Sequence, residues 1–147
     1  MKWIKKYIFC FIFIISVSPI FAQSNTEWTP IGLTASGKNI QNGVEVFYRV
    51  GKCSKEPVVF IKFNNHNTYG IILQWYDAVF TKDFKWVKNK KVDIKKFLTI
   101  EGNETISGDC SGKNQKELVV KIKDFVNNID DFNLFGIKSF TISSINK

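Results

Sequence analysis

Three stretches of this chain alternate strongly and weakly apolar residues with a period of two, and no other feature restricts the fold as much. Over 44–51, Val44, Val46, Tyr48 and Val50 share one face, and Glu45, Phe47 and Arg49 share the other. Over 58–63, Val59, Ile61 and Phe63 oppose Val58, Phe60 and Lys62. Over 71–76, Ile71, Leu73 and Trp75 oppose Ile72, Gln74 and Tyr76. Successive side chains alternate across a strand, whereas a helix repeats every three to four residues, and no such helical stripe is sustained here. The wealth of Val, Ile, Phe, Trp and Tyr also favours strand. Between the second and third runs lie Asn64-Asn65-His66-Asn67 and Gly70, residues that tolerate turn backbone. The expectation is a β-hairpin over 57–77, placed centrally because both faces of both runs carry apolar groups.

The remaining segments are short and separated by turn signals. A first strand is expected over 28–33, with Pro30 suited to an edge, then a polar loop over 34–43 and a turn over 51–57. Further extended segments are expected at 78–81, 97–100, 104–110 and 118–123, with a short helix or turn over 124–133. The last strand changes phase: Phe135 and Ile137 share one parity, Phe140 and Ile142 the other. A two-residue period places all four inward only if one residue is inserted, so a bulge is predicted near Lys138-Ser139. Seven or eight such strands with almost no helix predict an all-β fold, an immunoglobulin-like antiparallel β-sandwich, with a small β-barrel as the competing architecture.

The amino terminus carries the parts of a secretory signal. Lys2, Lys5 and Lys6 precede an apolar stretch from Tyr7 to Val17, and Ile20-Phe21-Ala22 offers a cut between Ala22 and Gln23. A retained anchor is the alternative. The apolar run is short against the roughly 20 residues a bilayer requires, and Pro19 interrupts it. No small-residue lipobox precedes Cys10. Removing 1–22 leaves residues 23–147 as a single domain. Three lysines depart with the signal, so the charge falls from +8 to +5. The expectation is an exported, mildly basic protein, periplasmic or extracellular, without a transmembrane segment after processing.

Two cysteines remain, Cys53 and Cys110. In an oxidising compartment the simplest reading is one disulfide, with two free thiols as the alternative. Two cysteines and a distant histidine make a poor metal set, and no metal site is expected.

The segments VEVFYRVGKC (44–53), VVFIKFNNHNTYGIILQW (58–75) and ETISGDC (104–110), with the FAQ end of the signal, resemble a class of small exported proteins of the Bacteroidota. In that class a strand ending in Cys precedes a K-F-x-N-x-N-x-Y hairpin, and a second Cys follows an E-T-x-x-G turn. The resemblance implies the fold and the disulfide for most of the mature chain. It implies no activity, because none is established for the class. Gly70 departs from the β-former or proline expected there.

Catalytic patterns are missing. There is no GxSxG elbow, HExxH, GxxxxGK or GxGxxG. The single histidine, His66, falls in a polar turn. Asp130 and Asp131 are adjacent, so on a strand they would face opposite ways rather than across a cleft. Asp77 and Asp83 could approach a calcium ion, but nothing resembles a ligand loop. Hydrolase is therefore a remote alternative, and no cofactor is expected. The leading expectation is a non-catalytic interaction or envelope-associated module whose partner is an unknown protein or an acidic glycan surface. Its best candidate site is the lysine-rich stretch 82–96, which interleaves seven lysines with Phe84 and Trp86. Lys85, Trp86, Lys88, Lys90 and Lys91 would bind a polyanion or glycan, with Trp86 stacking on a sugar; specific nucleic-acid binding is not expected. The plainer alternative is a solvated loop whose lysines guard a sheet edge.

Overall fold

A computed structural model describes residues 27–91, 93–112 and 115–145; the expected signal segment, with the cut expected between Ala22 and Gln23, lies outside them. Two antiparallel sheets pack face to face. The first holds β1 (Thr29–Pro30), β2 (Ile40–Gln41), β3 (Val44–Cys53), β4 (Glu56–Asn65), β8 (Thr105–Ser107) and β9 (Val119–Lys121). The second holds β5 (Ile71–Thr81), β6 (Trp86–Val87), β7 (Lys96–Ile100) and β10 (Phe132–Ser144). No ladder among the described residues joins the sheets, so the chain forms a sandwich and not a barrel. Pro30 lies on the edge strand β1, where its missing N–H costs no ladder bond.

The hairpin expected over 57–77 does not form. β4 pairs with β3, β8 and β9, whereas β5 pairs with β10, β6 and β7, so residues 66–70 carry the chain from one sheet to the other. The reason lies in what the alternating runs must bury. Val59, Ile61 and Phe63 of β4, and Ile71, Leu73 and Trp75 of β5, are all fully buried. Facing each other across the sandwich, each set covers the other; side by side, both would need a third layer. Phe63 and Trp75 meet there with ring centroids 5.0 Å apart. The asparagines serve this corner. The buried Asn65 side chain donates to the carbonyls of Tyr69 and Glu101 and accepts from the Asn67 amide. β4 forms its hairpin with β3 instead, turning at Ser54-Lys55 with Ser54 at φ 58°.

The predicted bulge is present. Lys138 pairs with Tyr76 and Thr141 with Gln74, so one extra residue sits on β10, and Ser139 takes φ 50°. Phe135 and Ile137 before it, and Phe140 and Ile142 after it, thereby all pack on the core. A second irregularity falls between Phe132 and Leu134. The helix or turn expected at 124–133 consists of 3-10 turns at Ile122–Asp124 and Ile129–Asp131. With Ile122 already in a turn, the strand expected over 118–123 contracts to Val119–Lys121. A disulfide joins Cys53 at the end of β3 to Cys110 beyond β8, with Cα atoms 5.3 Å apart.

Candidate functional site

The lysine-rich stretch begins with a tight turn built on Thr81. The Thr81 amide donates to the Lys85 carbonyl at 2.9 Å, and the Phe84 amide donates back to the Thr81 carbonyl at 3.0 Å. The buried Thr81 hydroxyl donates to the Asp83 carboxylate. That bond first, and then Lys85, hold the Asp83 carboxyl below the ordinary carboxylate range. Inside the turn Phe84 adopts φ 62°, a left-handed backbone that a bulky side chain enters at a cost of about 1–2 kcal/mol. The result is a phenyl ring 79% exposed to solvent.

The turn delivers Trp86 to the outer face of the second sheet. Trp86 pairs with Phe80, and Gly136 sits on the neighbouring strand opposite Ala78. A β-carbon at Gly136 would come within 2.7 Å of the indole ring, so this glycine is what allows the ring to lie down on the sheet. Phe80 supports it at 5.1 Å and also meets Phe84 edge-on at 6.3 Å. Lys138 places its Nζ 5.5 Å from the indole centroid. Trp86 is nevertheless 47% exposed. Three aromatic rings on one sheet face, two of them open to solvent, form a platform edged by a lysine.

The lysines proposed beside Trp86 do not gather into a cationic cluster. Lys85 pairs with Asp83 at 2.9 Å, Lys88 with Asp93 at 3.4 Å and Lys91 with Asp124 at 2.9 Å. Lys90 donates to the Asn127 side-chain oxygen. Lys96 turns inward to Asp77. Lys85, Lys88, Lys91 and Lys96 are thus each matched by a carboxylate and Lys90 by a neutral amide oxygen, while the aromatic members of the stretch remain available. Gly136 and Lys138 belong to the same surface and escape sequence reading, since only the β10–β5–β6 pairing brings them beneath Trp86.

Beside the platform, an open cleft of about 440 Å³ lies between this turn and residues 125–131. Asp83, Lys90, Asn127 and Asp131 line it together with Val87 and Phe125. It contains no histidine or cysteine. His66 lies elsewhere, bonded to Glu45 at 2.8 Å on an exposed corner, and that bond, with one from Asn64, lowers the Glu45 pKa. Asp77 faces Lys96 inside the sandwich, whereas Asp83 is on the exposed turn, so the two share no site. Among the described residues no cluster of three or more His, Cys, Asp or Glu side chains could hold a metal ion.

No protein-family profile and no curated protein matches the chain. A crystal structure of a DUF1425 family member from Shewanella sp. pv-4 is similar at a TM-score of 0.45 and 10% identity, over 74% of this chain and 88% of that one. At that level nothing concerning the site passes from one protein to the other.

Proposed function

We propose that this chain is a non-catalytic, exported interaction module that holds glycan on the outer face of its second sheet. One observation carries the reading: Trp86 lies against Gly136, propped by Phe80, with nearly half of its surface left in water. An indole that served only the core would be buried. A flat, fixed, half-exposed ring suits the apolar face of a sugar, and its rigidity reduces the ordering cost of binding. The strained, exposed Phe84 extends the same surface, and strain of this kind collects where a site needs it. Export is supported by the Cys53–Cys110 disulfide, since such bonds persist in oxidising compartments.

The paired lysines favour a neutral glycan over a polyanion for this face, because each would have to leave a carboxylate partner to meet an anion. Affinity electrophoresis of the mature protein through gels carrying neutral polysaccharides tests the proposal. Retardation by at least one of a broad polysaccharide set, abolished by Trp86→Ala and by Gly136→Val, is expected. Equal migration of wild type and Trp86→Ala in every gel would overturn it.

A further inference from the structure

The opposite face of the sandwich carries a second, differently built surface. The chain has a single arginine, Arg49, among twenty lysines. It stands on the outer face of β3, with its guanidinium carbon 4.9 Å from the Trp28 ring centroid and 5.1 Å from that of Phe60. Lys62 on β4 places its Nζ 4.7 Å from the same Trp28 centroid and 4.6 Å from that of Phe47. Two like charges therefore share one indole. The arrangement is deliberate in its backbone, since a β-carbon at Gly51 would strike the Phe60 ring at 2.7 Å.

These two cations are short of direct counter-charge, although Lys62 is near enough to Glu45 to help lower its pKa. Lys85, Lys88, Lys91, Lys96, Lys121 and Lys123 each hold a carboxylate within 4 Å. Among the described residues no carboxylate lies that close to Arg49 or Lys62. The Arg49 Nε is buried without a hydrogen-bond partner. Two cations brought together on aromatic rings, neither paired with a carboxylate, form a site that an anion from outside would complete. A guanidinium presents a planar fork of N–H donors, which suits a carboxylate or sulfate approached edge-on.

We infer that this face binds an acidic polysaccharide through its uronate or sulfate groups, bridged by Arg49 and Lys62. The sheet itself argues for a sugar chain over a bilayer. Both cations sit over aromatic rings, and the Ser107 position directly opposite Lys62 adds an exposed hydroxyl residue. A flat sheet face also suits a linear polymer better than an acidic peptide, which would add to a sheet edge. This surface is independent of Trp86, which stands on the other sheet, so the two readings can fail separately.

The test uses the mature chain and heparin as the sulfated probe. Arg49→Gln/Lys62→Gln is compared with Lys88→Gln/Lys91→Gln, which removes the same charge from paired lysines. The proposal expects the first variant to lose heparin affinity about tenfold and to show a shallower salt dependence, while the second loses less than twofold. Equal losses would mean only general basicity and would overturn it. A measurement on folded wild type protects the test against a misfolded variant: heparin should change Trp28 fluorescence, and the change should vanish in Trp28→Phe. Binding of phosphatidylglycerol vesicles or polyglutamate through Arg49 and Lys62 with no response to heparin would also overturn it. Loss of neutral-glycan retardation in Trp86→Ala, with heparin binding intact, separates this site from the platform.

Discussion

Trp75 and Asp77, two residues apart on β5 with both side chains on its inner face, are joined by a hydrogen bond of 2.9 Å from the indole Nε1 to a carboxylate oxygen. Lys96, which pairs with Trp75 in the β5–β7 ladder, reaches the other oxygen at 2.6 Å and also donates to the Glu117 carbonyl. An ion pair thus stands at the rim of a core otherwise made of Val, Ile, Leu and Phe. Burial pushes the Asp77 pKa up, opposed by the charge of Lys96 and by hydrogen bonds from Lys96 and Trp75.

Removing the cation should be the costly change. Lys96→Met leaves a buried carboxylate without compensation and should lose about 3–5 kcal/mol. Adding Asp77→Asn should recover much of that loss. Urea denaturation of the single and double variants measures both effects.

The pH dependence has a definite sign. A carboxyl whose folded pKa lies above its unfolded one binds its proton more tightly in the folded state. Its contribution is therefore largest below the ordinary carboxylate range and is lost as pH rises through the folded value. Glu45, Glu56 and Asp83 have lowered values and act in the opposite direction, losing stability as pH falls. Comparing wild type with Asp77→Asn isolates the first effect. The variant should gain on wild type as pH rises from about 4 to 8; a stability difference that ignores pH would contradict this.

The disulfide closes a loop spanning a sequence separation of 57 residues. On the chain-entropy argument, Cys53→Ser/Cys110→Ser should lower stability by about 4 kcal/mol. The urea midpoint of oxidised and reduced protein checks this, with thiol alkylation before reduction confirming that neither cysteine is free in the native chain.

Phe84 offers a separation of stability from function. Glycine enters the left-handed region without the β-carbon penalty, so Phe84→Gly should be neutral or stabilising by about 1 kcal/mol, despite the loss of a phenyl ring. If the exposed ring serves the platform, the same variant should bind glycan more weakly. A loss of 2 kcal/mol or more in thermal or urea unfolding would show that the ring contributes chiefly to folding.

Period-two patterning shows which side chains share a face, and it does so correctly for β3, β4 and β5. It does not show which strand lies beside which. Alternation in 58–63 and 71–76 is equally compatible with edge-to-edge pairing and with face-to-face packing across the core, and the second is what occurs. The bulge was legible because a phase change between Ile137 and Phe140 has one geometric remedy. Deleting Ser139 should therefore turn Phe140 and Ile142 outward, unstacking Phe140 from Phe63 at 6.1 Å, and cost several kcal/mol. Trp86 was legible as a candidate from its composition and setting. Its seat on Gly136, fifty residues away in the chain, was not, and neither was the arginine face, which three separate segments assemble. Pairing of the lysines with Asp93 and Asp124 likewise depends on folds of the chain that charge counting does not register.

Among the described residues there are three tryptophans, one in each compartment of the sandwich: Trp28 on the first sheet's outer face, Trp75 in the core and Trp86 on the second sheet's outer face. Their indole N–H signals in a nitrogen–proton correlation spectrum report on all three at once. Titrated with neutral oligosaccharides drawn from whichever polysaccharide retards the protein, the Trp86 signal should shift while Trp75 and Trp28 stay in place. Movement of Trp28 alone, or of none of the three at saturating sugar, would contradict a glycan platform built on Trp86.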